Sequence, residues 1–232
     1  MEPFDAQRIP AVEARILAAC TRAERPRESV QLIAVSKTRS LVSCEGAAAA
    51  GLHHLAENYV QEWDGKAVAS VDWKDPVLWH FIGRLQSNKI KHLIGRTHRI
   101  HTVDRRKLLD TIDRLSTERS VITDILIQVN VAGESQKGGC DPGELLSLAE
   151  HAEALPGVAL KGLMTIAPMT DSPEGVRPVF RELRNHLGRV QSHLNSPTIR
   201  ELSMGMTADM DVAIEEGATW IRVGTALFGA RS

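Results

Sequence analysis

Chemistry in this sequence is carried by a few polar residues that stand where apolar runs end. Lys37 follows Leu32-Ile33-Ala34-Val35-Ser36, so it leaves a buried strand rather than a solvated face. A lysine there either snorkels to water or, kept partly out of it, has a lowered pKa and offers a neutral amine for a Schiff base. Ser203-Met204-Gly205-Met206-Thr207 sets hydroxyl residues on either side of a glycine, just before a helical pattern, and Gly224-Thr225 follows a second apolar run. Each segment alone reads equally as a helix cap or a turn. Together, their N–H groups and hydroxyls would cradle an anion, phosphate above all. Arg222 alternates with Ile221 and Val223 and so points to the opposite face. A guanidinium buried there needs an acceptor, either a structural carboxylate or a ligand atom.

Other polar residues read more plainly. His80 is expected as a satisfied core histidine, and Glu57 and Asp209 as charges at helix starts. Arg105-Arg106-Lys107 with Asp110, Asp113 and Arg114 forms a solvated helix face, and Met204, Met206 and Met210 pack. Cys20, Cys44 and Cys140 are far apart, without a CxxC pair, and read as reduced thiols. No metal site is expected, and no Ser/His/Asp order, HExxH or P-loop occurs.

A scaffold must bring these strand ends together. Eight short apolar runs alternate with amphipathic stretches: 31–36, 52–56, 78–82, 99–103, 124–130, 160–166, 199–204 and 219–223. Helices are expected at 105–117, 142–154, 174–194 and 206–216, with Asp104 and Asp141 as N-caps and Pro142 in a first turn. Eight strands in about 230 residues fit an α/β fold, a single (β/α)8 TIM barrel over residues 1–232, with an extra N-terminal helix at 6–25. An open doubly wound sheet would be announced by G-x-G-x-x-G after the first strand, and none occurs. In a barrel, active groups lie at the C-terminal strand ends, which selects Lys37, Ser203–Thr207 and Gly224-Thr225 from the other polar residues.

Composition narrows the function. Lysine and arginine number 28 against 29 acidic residues, and aromatics are 4%, so neither a basic stripe nor a stacking platform for nucleic acid is present. No apolar run approaches the roughly 20 residues of a membrane span, and Met-Glu-Pro-Phe-Asp is no secretory leader. A cytoplasmic protein is expected.

Ordered segments then carry a resemblance. They are Ile33-Ala34-Val35-Ser36-Lys37-Thr38, Glu57-Asn58-Tyr59-Val60-Gln61-Glu62, His80 through Lys89, Gln128-Val129-Asn130, Lys161-Gly162-Leu163-Met164, Leu202 through Asp209, and Arg222 through Gly229. Across nearly the whole chain the sequence resembles the pyridoxal phosphate homeostasis proteins. The resemblance implies the barrel of alanine racemase standing alone (fold-type III), with Lys37 holding pyridoxal 5′-phosphate as an internal aldimine. It places Ser203, Gly205, Met206, Thr207, Gly224 and Thr225 on the phosphate, Arg222 on the pyridine nitrogen and Asn58 on the hydroxyl side of the ring. Lys137, in a Glu134-Ser135-Gln136-Lys137 loop, would take part in cofactor transfer. Ala56 and Thr207 depart from the family's usual glycine and serine and keep the local chemistry.

The expectation is a cofactor-binding, non-catalytic protein. It would be a monomer acting in pyridoxal phosphate supply, with cofactor-dependent apo-enzymes as transient acceptors. An amino-acid racemase is the alternative. Against it, the only tyrosine, Tyr59, stands at a helix start, and no second domain is seen to bring another base. A third reading drops the cofactor and makes Lys37 the lysine of an aldolase-type barrel enzyme.

Overall fold

The protein is described here from a computed structural model covering residues 3–169 and 172–230. Eight parallel strands close into a barrel in sequence order: β1 (Gln31–Val35), β2 (His54–Glu57), β3 (Leu78–Phe81), β4 (Arg99–Val103), β5 (Thr123–Gln128), β6 (Val158–Met164), β7 (Glu201–Met206) and β8 (Trp220–Val223). The helices are α1 (Ile9–Arg22), α2 (Leu41–Ala49), α3 (Val60–Ala69), α4 (Arg106–Glu118), α5 (Leu145–Glu153), α6 (Arg177–Leu194), α7 (Met210–Glu215) and α8 (Thr225–Phe228). A 3-10 segment, Ser87–His92, replaces the helix between β3 and β4. The expected barrel and its leading helix are present. No helix among the described residues is long and apolar enough to cross a membrane.

Strands buried on both faces read as continuous apolar runs, which is why β1 buries Leu32, Ile33, Ala34 and Val35 in succession. Outside the barrel, α6 buries Phe180, Leu183, Leu187 and Val190, one helical stripe, and ends on Asn195 in the left-handed conformation. Losing Phe180 to alanine would cost about 3–5 kcal/mol.

Inside the barrel the composition is different. Period-two alternation and the register Ala56↔His80↔Arg99 set His54 and Ala56, His80, Arg99 and His101, Glu201 and Ser203, and Trp220 and Arg222 on the inward face. Ile33, Ala56 and Trp220 form a small apolar cluster there, apart from the main core. The barrel lumen is therefore largely polar.

Several expected boundaries move. β2 begins at His54 rather than residue 52. Arg105, not Asp104, caps α4. Asp141 accepts the Gly143 N–H at 2.7 Å within a turn that also holds Pro142, so α5 starts only at Leu145. Met206 remains in β7 because Asp209 Oδ1 takes its N–H at 2.6 Å and folds residues 207–209 into a turn ahead of α7.

Candidate functional site

A cavity of about 580 Å³ opens at the C-terminal end of the barrel, lined by Val35, Lys37, Ile82, Ala167, Pro168, Met169, Pro173, the 206–209 turn, Arg222, Gly224 and Thr225. Lys37 enters from the end of β1, half-buried. Opposite loops present backbone: among the described residues, no acceptor is found for the N–H groups of Thr207, Ala208, Gly224 or Thr225. The Thr207 hydroxyl accepts the Ala226 N–H at 3.4 Å, which ties the β7 and β8 loops together. Gly205 has φ +91°, and a Cβ there would press on Ala213, so the turn needs glycine.

Arg222 is 4% exposed. Its guanidinium donates to Ser203 Oγ at 2.8 Å and to the Thr165 carbonyl at 2.9 Å, and no carboxylate pairs with it among the described residues. Burial pulls its pKa down to about 10, partly offset by Asp209, so it stays a cation at neutral pH. Of the two acceptors that the sequence left open, the structural carboxylate is not the one found.

Two networks hold these groups. Under Lys37, the fully buried Glu57 Oε1 accepts from Ser36 Oγ at 2.6 Å and Lys66 Nζ at 2.7 Å. Lys66 also donates to the Ser36 carbonyl (2.9 Å) and to Glu62 (2.8 Å), and Glu62 accepts the Thr38 N–H at 2.6 Å. Lys37 is thus bracketed on both sides by anchored backbone. Burial pushes the Glu57 carboxyl up to about 7 against the pull of Lys66. Burial works to lower Lys66, but Glu57 and its neighbours outweigh it and hold the amine protonated.

Beneath Arg222, a chain of side chains runs down the lumen. Ser203 Oγ lies 2.9 Å from His101 Nδ1, His101 Nε2 lies 2.9 Å from His80 Nδ1, and His80 Nε2 lies 3.0 Å from His54 Nδ1. Burial, then the neighbouring imidazoles and arginines, holds His80 and His101 well below the ordinary histidine range, so both are neutral.

The structure brings Lys37, Met206, Thr207, Arg222, Gly224 and Thr225 onto one cavity. Gly205 shapes the wall behind it, and Ser203 lies below the lining, under Arg222. Asn58 lines an adjoining cavity with Tyr59, Arg84 and Lys89, and its buried Oδ1 has no partner among the described residues. Its backbone packs on Gly83, where any Cβ would collide with the Asn58 carbonyl. Lys137 donates to the Ala167 carbonyl at 2.9 Å, at the rim, and pairs with Glu134. His80 is a satisfied core histidine, as expected. Glu57 is not a helix-start charge but a buried carboxyl bonded to Ser36 and Lys66, and Asp209 is a buried turn-former. Sequence reasoning missed Lys66; its i,i+4 spacing from Glu62 was the available signal.

Residues 9–232 match the model of the family described as alanine racemase, N-terminal domain. The chain is 44% identical over 231 residues to the pyridoxal phosphate homeostasis protein of Aquifex aeolicus, covering 97% of each. It is 42% identical to the protein of the same name from Pseudomonas aeruginosa, covering 97% of this chain and 95% of that one. Among solved structures, PipY of Synechococcus elongatus, determined both without and with PLP bound, superposes with a TM-score of 0.85 at 36% identity, covering 97% of this chain and 99% of that one.

Proposed function

This chain belongs to the family of the pyridoxal phosphate homeostasis proteins, and from that premise we propose that its barrel mouth holds pyridoxal 5′-phosphate for intracellular supply of the cofactor. The observation that carries the reading is the convergence, on one cavity, of a lysine, two amide-rich loops and a buried arginine that, among the described residues, has no carboxylate partner. The cavity's volume falls in the range of small-ligand pockets. When bound, the cofactor would supply an aldehyde able to bond an amine, together with a dianionic phosphate.

The protein's own groups meet those two features from opposite walls. The Lys37 amine is the group that would bond covalently, held in place by the anchored Ser36 and Thr38 backbone. Thr207, with the amides of Gly224 and Thr225 and the turn formed by Gly205 and Met206, would bind the phosphate. Ser203 would act one layer down, holding Arg222 in place. Arg222 would face the pyridine nitrogen and, as a cation, keep it unprotonated, which suits storage better than carbanion chemistry. The unpartnered Asn58 Oδ1 supplies spare hydrogen-bonding capacity for the ring hydroxyl side. Lys137, on the rim, is placed for hand-over.

We further assign the protein no dedicated amino-acid turnover. Among the described residues lining the mouth, Lys37 and Asp209 are the groups able to move a proton, and Asp209 is committed to the Met206 amide. Proton removal and redelivery on two faces needs two positioned groups, each contributing typically 10²–10⁴-fold. Tyr59 lines a different cavity. Delivery to cofactor-dependent apo-enzymes by a cytoplasmic monomer completes the proposal. The test adds pyridoxal 5′-phosphate to apo-protein, follows visible absorbance, and then adds L-alanine with chiral chromatography. A saturable band with no racemised product supports the reading; turnover at about 1 s⁻¹ or faster would replace it with a racemase.

A further inference from the structure

The floor of the barrel holds a cluster that the cofactor reading does not use. His54 opens β2, His80 lies in β3 and His98 immediately precedes β4. One ring nitrogen from each lies within 4.8 Å of those of the other two. The rings are steeply inclined to one another, at 59°, 54° and 70°, so the three do not stack. His80 is buried, while His54 and His98 are half-buried and give the cluster a side open to water.

We propose that His54, His80 and His98 form a site for a divalent first-row transition ion of the zinc class, with water as the fourth ligand. Three imidazoles and a water make a tetrahedral donor set suited to such ions, and an all-nitrogen set disfavours calcium and magnesium. Metal–nitrogen bonds of 2.0–2.1 Å place donor atoms roughly 3.4 Å apart in a tetrahedron. The observed separations, 3.0 Å between His54 and His80 and at most 4.8 Å overall, bracket that spacing, so small ring rotations suffice.

Orientation, charge and access each support the site. The other nitrogen of His80 faces His101, which in turn faces Ser203. With protons on both Nδ1 atoms, His80 donates to His101 and keeps its Nε2 lone pair aimed at the cluster. That is the outer-shell partner by which proteins orient a metal-binding imidazole. The adjacent Arg99 is paired with Asp124 and Glu201, and Lys161 lies 3.5 Å from Asp124, so two cations balance two anions. A cavity of about 290 Å³ bordered by Gln31, Leu52, His53 and His54 adjoins the cluster at His54. The ligands come from three separate strand starts, which is why no motif announces them.

The experiment uses tag-free protein stripped with chelator, and Co²⁺ as the probe. Equilibrium dialysis should show one saturable equivalent, with the visible absorption of low-coordinate cobalt. Trp220, whose ring lies 5.0, 5.1 and 6.4 Å from the rings of His54, His80 and His98, should be quenched, and the quenching should vanish in W220F. His54→Gln and His98→Gln, on the half-exposed side, should keep the thermal melt of the parent while losing affinity by more than the 10–100-fold typical of an outer-shell change. His80→Gln is avoided because it opens the core. Absence of a saturable equivalent would overturn the proposal. So would binding that both glutamine variants leave intact, or binding lost in His92→Gln, which would place the ion on the surface pair of His92 with Asp64.

Discussion

The two ends of this barrel solve the problem of interior polar groups in opposite ways. At the floor, Arg99 is paired with Asp124 and Glu201, the Trp220 indole donates to Glu201 at 2.9 Å, and the histidines bond one another. At the mouth, among the described residues, amides of two loops have no protein acceptor, and Arg222 donates to a hydroxyl and a carbonyl. Buried polar groups are costly unless satisfied. The charges of the floor pair among themselves and leave a cluster of neutral imidazoles as the group with coordinating capacity there, whereas the mouth offers amides and a cation to something that has yet to arrive. The Ser203–His101–His80–His54 chain joins the two, so each end has a physical route to the other.

That contrast yields a ranked set of outcomes. The largest concerns the anchored wall beneath Lys37. Glu57→Ala strands the Lys66 ammonium in a buried site, with Glu62 as its remaining carboxylate, and should cost about 3–5 kcal/mol in urea unfolding of the apo-protein. A midpoint unchanged from the parent would show that the pair does not brace the fold.

Next comes acid. His80 and His101 are held neutral by burial, so their folded pKa values lie below the unfolded value, and the stability they contribute is present above about pH 6.5 and lost as pH falls. Each histidine that stays neutral costs about 1.4 kcal/mol per pH unit below 6.5. Glu57, raised to about 7, runs the other way: its contribution is present below about pH 4.5 and lost as pH rises through 7. With His54 also lowered, to about 4, and His98 and His186 lowered too, five histidines outweigh the three raised carboxyls Glu57, Glu201 and Asp209, and the melting temperature should fall between pH 7 and pH 5. A rise on acidification would contradict the neutral histidine chain.

Smaller effects belong to the mouth and are read in cofactor affinity rather than in the apo-protein's melt. Thr207→Ala removes a hydroxyl from the proposed phosphate wall; losing a hydrogen bond to a charged group costs about 1.5–3 kcal/mol, hence about tenfold or more in cofactor affinity. Met206→Ala should change that affinity by no more than about twofold, because Met206 serves through its backbone and its side chain is 39% exposed. Titration of the two variants side by side separates the roles.

Strand count, barrel closure and the mouth residues could be read in the sequence because each sits at the end of an apolar run, where alternation and the strand-end rule both apply. Lys37 and Arg222 are of this kind. The histidine chain could not be read: His54, His80 and His101 are 26 and 21 residues apart, and only the parallel register stacks them in one lumen. Glu57 and Lys66 escaped for a related reason. A charged residue next to a helix start looks solvated until the helix packs its own lysine back over the strand end. Cap positions failed where one side-chain hydrogen bond decides, as Asp209 does by delaying α7 to Met210.

The central claim is that Lys37, and no other lysine, bonds the cofactor. Protein incubated with one equivalent of pyridoxal 5′-phosphate, reduced with borohydride and digested, should yield a single modified peptide carrying the adduct on Lys37. An adduct confined to Lys89 or Lys137 would contradict it.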